Sequence, residues 1–164
     1  MPDDSLTRQV ALLAAHREIE QKIYRMGYAL ERGDFELVGE LLRHASFGAD
    51  RLGRRIRKGK QEIRDQYLNT NITYPGHGRA TRELYTNVLI DIDLIAGTAK
   101  STTAYTVAQQ TPDGKSRFKL LVAGRYEDEW ARIDDEWHWT DRYIVVQFKN
   151  DLDGHMTPGS QPYN

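Results

Sequence analysis

"SRFKLLVAGRYEDEWARIDDEWHWTDRYIVVQFK", residues 116–149, decides the fold. It holds two long runs of alternating, β-branched and aromatic residues, separated only by Asp134 and Asp135. Strands joined by so short a link pair antiparallel. Working towards the N-terminus, "TAKSTTAYTVAQQ" ends at "TPDGK", whose Pro-Asp-Gly is a turn signature. Before it, "TRELYTNVLIDIDLI" ends at "AG". The second half therefore reads as a four-stranded meander, with the polar "NDLDGHMTPGSQPYN" as a tail that ends loosely.

The first half reads as helices. Leu6, Val10, Leu13, Ile19, Ile23, Met26 and Leu30 recur at three- and four-residue steps and predict one apolar face. Gly33 can end that helix, and Asp34 can cap a second over about 34–43. Glycine-marked turns in "ASFGADRLGRRIRKG" suggest two short strands. "KQEIRDQYLNT" is a third helix and "NITYPGHGRA" a loop. Helices followed by long antiparallel strands imply an α+β fold. The expected form is a curved antiparallel sheet wrapped by N-terminal helices into a cone with an internal pocket.

Composition narrows the function. The chain has 164 residues, a formal net charge of −1 and no cysteine. That length fits one domain with a sizeable core. The lack of cysteine excludes disulfides, thiolate catalysis and cysteine-ligated zinc. The N-terminus carries acids where a signal peptide needs positive charge, and no apolar run approaches the roughly 20 residues of a membrane span. A soluble cytoplasmic protein with no membrane partner is expected. "RLGRRIRKGK" has six basic residues in ten but no interleaved aromatics, so it reads as a solvated turn and no nucleic acid is expected. Of His16, His44, His77, His138 and His155, no two stand four apart around a carboxylate as a helical zinc site requires, so no metal is implied. His77 and His155 lie in segments that could fold over a cavity mouth or remain solvated loops.

The order of elements and four strings resemble the SnoaL-like branch of the nuclear transport factor two-like superfamily. They are "YALERGDFELVGELL", "KGKQEIRDQY", "TRELYTNVLIDID" and "AGRYEDEWARIDDEWHWTDRYIVVQFKNDLDGHM". The last is the most specific, with its Gly-Arg-Tyr, its acidic turn, Trp137 opening the next strand and Arg142 five residues on. The resemblance spans about residues 10–156. It implies a single domain over 1–156, with 157–164 as a flexible tail, and a homodimer or larger homo-oligomer. Catalytic relatives often pair an Asp late in the first helix with a His on the first long strand. Those positions match Glu31 and Glu83, so this chain has an acid where the family often has the histidine. An arginine of the last strand in dehydrochlorinase-like relatives corresponds to Arg142.

A glutamate in place of histidine changes the chemistry. An ordinary glutamate, with a pKa of about 4.3, is a weak base at neutral pH. Burial or a second carboxylate would raise it. Glu31 and Glu83 could then share a proton, one as acid and the other as base, unless Arg142 sits between them and makes an ion network. Arg142 could instead pair with Asp128 or Asp141. Tyr24, Tyr28, Tyr85 and Tyr105 could offer phenols to a substrate, and Asn87 an amide, although such tyrosines are also ordinary core residues. Two readings stay open. One is a cofactor-independent dehydratase, isomerase or cyclase, hence a lyase or isomerase, acting on a small hydrophobic ring or polyketide-like compound through Glu31, Glu83 and Arg142. The other is a non-catalytic binding protein or accessory subunit, like the small subunits of ring-hydroxylating dioxygenases.

Overall fold

The computed structural model describes residues 4–49, 55–114 and 117–160. Helix α1 (Asp4–Arg32) is followed by α2 (Phe35–Leu41), strands β1 (Ser46–Ala49) and β2 (Arg55–Lys58), and α3 (Gly59–Thr70). Strands β3 (Thr81–Asp93), β4 (Thr98–Gln109), β5 (Lys119–Ile133) and β6 (Glu136–Lys149) complete the chain. The four long strands form the expected antiparallel meander. The pair β1–β2 extends it through a parallel contact of β1 with β6, giving the order β2-β1-β6-β5-β4-β3. The expected short strands around residue 50 are β1 and β2, but the turn between them, including Arg51 and Arg54, lies outside the described residues. Among the described residues no helix is long and apolar enough to cross a membrane.

Local chemistry sets the boundaries. Gly33, at φ 69°, closes α1 as Asp34 N–H donates back to the Ala29 carbonyl, and the Asp34 carboxylate then accepts from Leu37 N–H to open α2. Asp134 and Asp135 both take positive φ, as a two-residue hairpin turn demands. Gly124 is needed for close approach: a Cβ there would clash with the Val145 carbonyl of β6.

The helices cover one face of the curved sheet. Ile19, Ile23, Met26 and Leu30 of α1 pack with Phe35, Val38, Ile63 and the tilted ring pair Trp130–Trp139. The expected single apolar face of α1 is in fact two. Burial begins at Ala15, while Leu6, Val10 and Leu13 are exposed. At about 100° per residue those three point roughly opposite to the Ile19–Ile23–Met26 stripe. Spacing alone merged two faces of one helix.

Strand β3 also departs from simple alternation. Asn87 adopts φ 50° and the pairing with β4 slips between Thr86 and Leu89. This bulge inserts a residue and reverses the facing of everything after it. Thr81, Glu83 and Tyr85 point inward before it, and Val88, Ile90 and Ile92 point inward after it. Leu84 and Thr86 therefore point outward while Val88 and Ile90, of the same parity, point inward, and Asn87 is exposed at the kink.

The segment after β6 folds back on the body. Leu152 and His155 are buried, and Ile72 N–H donates to the His155 carbonyl. Thr157 and Ser160, expected in a flexible tail, are bonded to the end of α3: Thr157 N–H and the Ser160 hydroxyl both donate to the Thr70 carbonyl. Residues 161–164 lie outside the described residues.

Candidate functional site

A cavity of about 130 Å³ lies between the sheet and the helices. Leu30, Phe47, Val107, Val122, Ile144 and Leu152 give it apolar walls. Arg79, Glu83, His155 and the phenols of Tyr67, Tyr105 and Tyr126 supply polarity. For scale, a cavity of roughly 150 Å³ holds one benzene ring.

Glu83 is the centre of the polar end. Its side chain is 1 % exposed. Oε1 accepts from Arg79 Nη1 at 2.9 Å, and the buried Oε2 has no partner. Burial pushes this carboxyl above the usual range, with Arg79 pulling against it and Glu31 adding to the rise. The second guanidinium nitrogen of Arg79, Nη2, lies 2.9 Å from His155 Nε2. Burial and the charges of Arg79 and Lys119 push the His155 pKa down to about 2, so the ring is neutral.

Glu31 does not join Glu83 as a proton-sharing partner. Its Oε1 accepts from the backbone N–H of Glu83 at 2.9 Å and its Oε2 from Arg82 at 2.8 Å. It ties the end of α1 to the start of β3 and lines a separate open cleft beside His77 and Thr73. His77 thus sits over that cleft, away from the cavity.

Arg142 does not sit between the glutamates either. It is buried behind the cavity wall, with Nε 3.3 Å from Asp128 Oδ1 and its guanidinium 3.9 Å above the Tyr126 ring. Asp128, like Glu83, is pushed up by burial, and Arg142 pulls it back.

The candidate substrate-binding residues divide. Tyr105 lines the cavity, its ring stacked on Tyr126 with centroids 4.4 Å apart. Tyr85 packs edge-on against Tyr126, and burial raises its phenol well above the ordinary value. Tyr24 and Tyr28 are on the outward stripe of α1, with Tyr24 bonded to Glu20. Asn87 is outside at the bulge. None of these three reaches the cavity. Among the described residues, no three His, Asp or Glu side chains group as a metal site needs.

Neither Arg79 nor Tyr126 stands out in the sequence. Arg79 lies in the turn before β3, where Ala80 takes φ 54°, so strand alternation does not extend back to it. Tyr126 shares parity with Asp128 and Trp130 in β5, all three buried.

Comparison with known proteins places this architecture. A family model for the SnoaL-like domain matches residues 11–143. The chain belongs to the SnoaL-like domain family. A comparison with curated proteins finds no match. Among solved structures, this SnoaL-like domain is similar to a nuclear transport factor two-like protein with a cystatin-like fold from Novosphingobium aromaticivorans, at 16% identity and TM-score 0.69, covering 93% of this chain and 95% of that one. A candidate scytalone dehydratase from the same organism follows at 16% identity and TM-score 0.68, covering 87% and 91%. The beta subunit of a candidate aromatic-ring-hydroxylating dioxygenase, again from that organism, gives 16% and 0.64, covering 86% and 94%. At such identities the likeness is one of fold.

Proposed function

We propose that this SnoaL-like domain is a cofactor-independent acid/base enzyme of the dehydratase, isomerase or cyclase kind, acting on a small hydrophobic ring compound. One observation carries the reading. Glu83 is dry, lines an apolar cavity, has a raised pKa and keeps Oε2 free of any protein partner. A carboxylate so placed is a stronger base than one in water, because removing water disfavours its charged form. Arg79 holds its other oxygen and fixes its direction. The cavity volume sets the substrate at about one ring. The same reading includes a homo-oligomer, since Leu84, Leu89 and Phe148 are exposed and apolar.

A second reading has its own support. The Arg79–Glu83 ion pair also suits a binding protein or accessory subunit in which the carboxylate only balances charge. Glu83→Gln separates the two. Deuterium incorporation from heavy water into 2-cyclohexen-1-one is expected to fall by about a hundred- to ten-thousandfold in the variant, measured by mass spectrometry. Equal exchange in both proteins, or none above buffer, would favour the binding protein.

A further inference from the structure

His155 arrives at the cavity from the segment after β6, far in sequence from the strand that carries Glu83. Its backbone is tethered on several sides. Its N–H donates to the Leu152 carbonyl, and its carbonyl accepts from Ile72 N–H at 3.0 Å. The neighbouring Gly154 carbonyl accepts from the Tyr74 hydroxyl at 2.7 Å and from Gln109 Nε2 at 3.0 Å. Gln109 Nε2 also donates to the Arg79 carbonyl at 3.1 Å. Gln109 is thus a positioning residue that holds Arg79 and the His155 turn in one frame.

The tautomer of His155 follows from its partner. An arginine side chain has five N–H donors and no acceptor. At 2.9 Å from Arg79 Nη2, His155 Nε2 must accept, so the ring proton is on Nδ1. Nδ1 is buried and has no protein partner. The same guanidinium therefore orients two unpaired groups of opposite kind, an acceptor at Glu83 Oε2 and a donor at His155 Nδ1. Both residues line one cavity, whose other walls are largely apolar.

We infer that His155 Nδ1–H is the hydrogen-bond donor for the carbonyl oxygen of a cyclic enone or ketone from which Glu83 removes a proton. This rests on the acid/base reading of Glu83 and adds the substrate class and a second catalytic residue. Glu83 Oε2 takes a proton from a carbon activated by the carbonyl. The C–H electron pair forms the new carbon–carbon double bond, and the carbonyl π pair moves to oxygen. Nδ1–H donates to that oxygen and keeps its own proton. Protonated Glu83 then returns its proton to carbon, at the same or the conjugated position, so the cycle is redox-neutral and needs no co-reactant. A fixed donor aimed at developing oxyanion charge stabilises it more in a dry site than in water.

The test uses the full chain with 2-cyclohexen-1-one and, as a control of the same shape, cyclohexene. Wild type is expected to bind the enone about tenfold more tightly than the hydrocarbon. His155→Phe is expected to lose that preference while still binding cyclohexene, which also reports that the cavity survives. His155→Gln, which restores an N–H donor, is expected to recover part of it. Nitrogen-15 spectra should show His155 protonated at Nδ1 and bare at Nε2. An enone preference unchanged in His155→Phe, a proton on Nε2, or no enone binding at millimolar concentration would overturn the inference. The Glu83 reading fails separately: an intact enone preference in wild type with no deuterium exchange removes the base and leaves the His155 donor standing.

Discussion

Two arginine–carboxylate pairs are buried in this molecule, and their surroundings differ. Arg79–Glu83 is a 2.9 Å hydrogen-bonded contact in the cavity wall, with side chains 5% and 1% exposed. Arg142–Asp128 is a 3.3 Å contact behind that wall, with side chains 2% and 0% exposed and the Tyr126 ring lying over the guanidinium. Both carboxyls are raised by burial and drawn down by their arginine. Burial and pKa direction therefore do not tell them apart. Position does: Glu83 lines the cavity, whereas the Asp128 pair lines no part of it. The first pair fixes one oxygen of a cavity carboxylate, and the second spans β5 and β6.

Breaking the inner pair should have the largest effect. Arg142→Met leaves the Asp128 carboxylate buried without its counter-charge, and the expected loss is about 3–5 kcal/mol of stability in urea unfolding. Adding Asp128→Leu should restore most of it, since two apolar side chains pack without either charge. A single variant as stable as wild type would mean that the pair is not what joins those strands.

The outer pair should reveal itself in acid. His155, facing Arg79 and Lys119, has a folded-state pKa pushed down to about 2 from an ordinary 6.5. The unfolded chain takes up a proton below pH 6.5 that the folded chain refuses. Stability is thus fully present above pH 6.5 and declines as pH falls towards 2, by about 2 kcal/mol at pH 5. His155→Phe should flatten that slope in unfolding curves recorded between pH 7 and 5. An unaltered slope would mean that other groups govern the acid limb.

The smallest effect belongs to the rim. The Arg82 side chain, 68% exposed, meets Glu31 at 2.8 Å. Arg82→Ala should cost less than about 1 kcal/mol, and less still in high salt. The bond from Glu83 N–H to Glu31 is untouched by that change. A loss as large as that of Arg142→Met would erase the distinction between buried and exposed pairs here.

Much of the fold was legible because it rests on local signals. The Gly33–Asp34 boundary, the Pro-Asp-Gly turn and the Asp134–Asp135 hairpin each follow from what a few adjacent residues can adopt. The site was less so. Family likeness singled out Glu83, which does line the cavity, but its partners depend on three-dimensional approach. Arg79 meets His155 across 76 positions, and nothing local in "GHGRAT" or "DLDGHM" announces it. Tyr24 and Tyr28 were misplaced because helical spacing gives a stripe without saying which side of α1 it is on. Asn87 was misplaced because strand alternation assumes no bulge.

That bulge lets one strand serve two purposes on one side. With strict alternation Glu83 and Tyr85 would lie on the face opposite Val88, Ile90 and Ile92. The single inserted residue turns both sets inward, so the first half of β3 brings a carboxylate to the cavity while the second half packs in the core. The insertion acts as a phase shift, and removing it would turn one of the two halves to solvent.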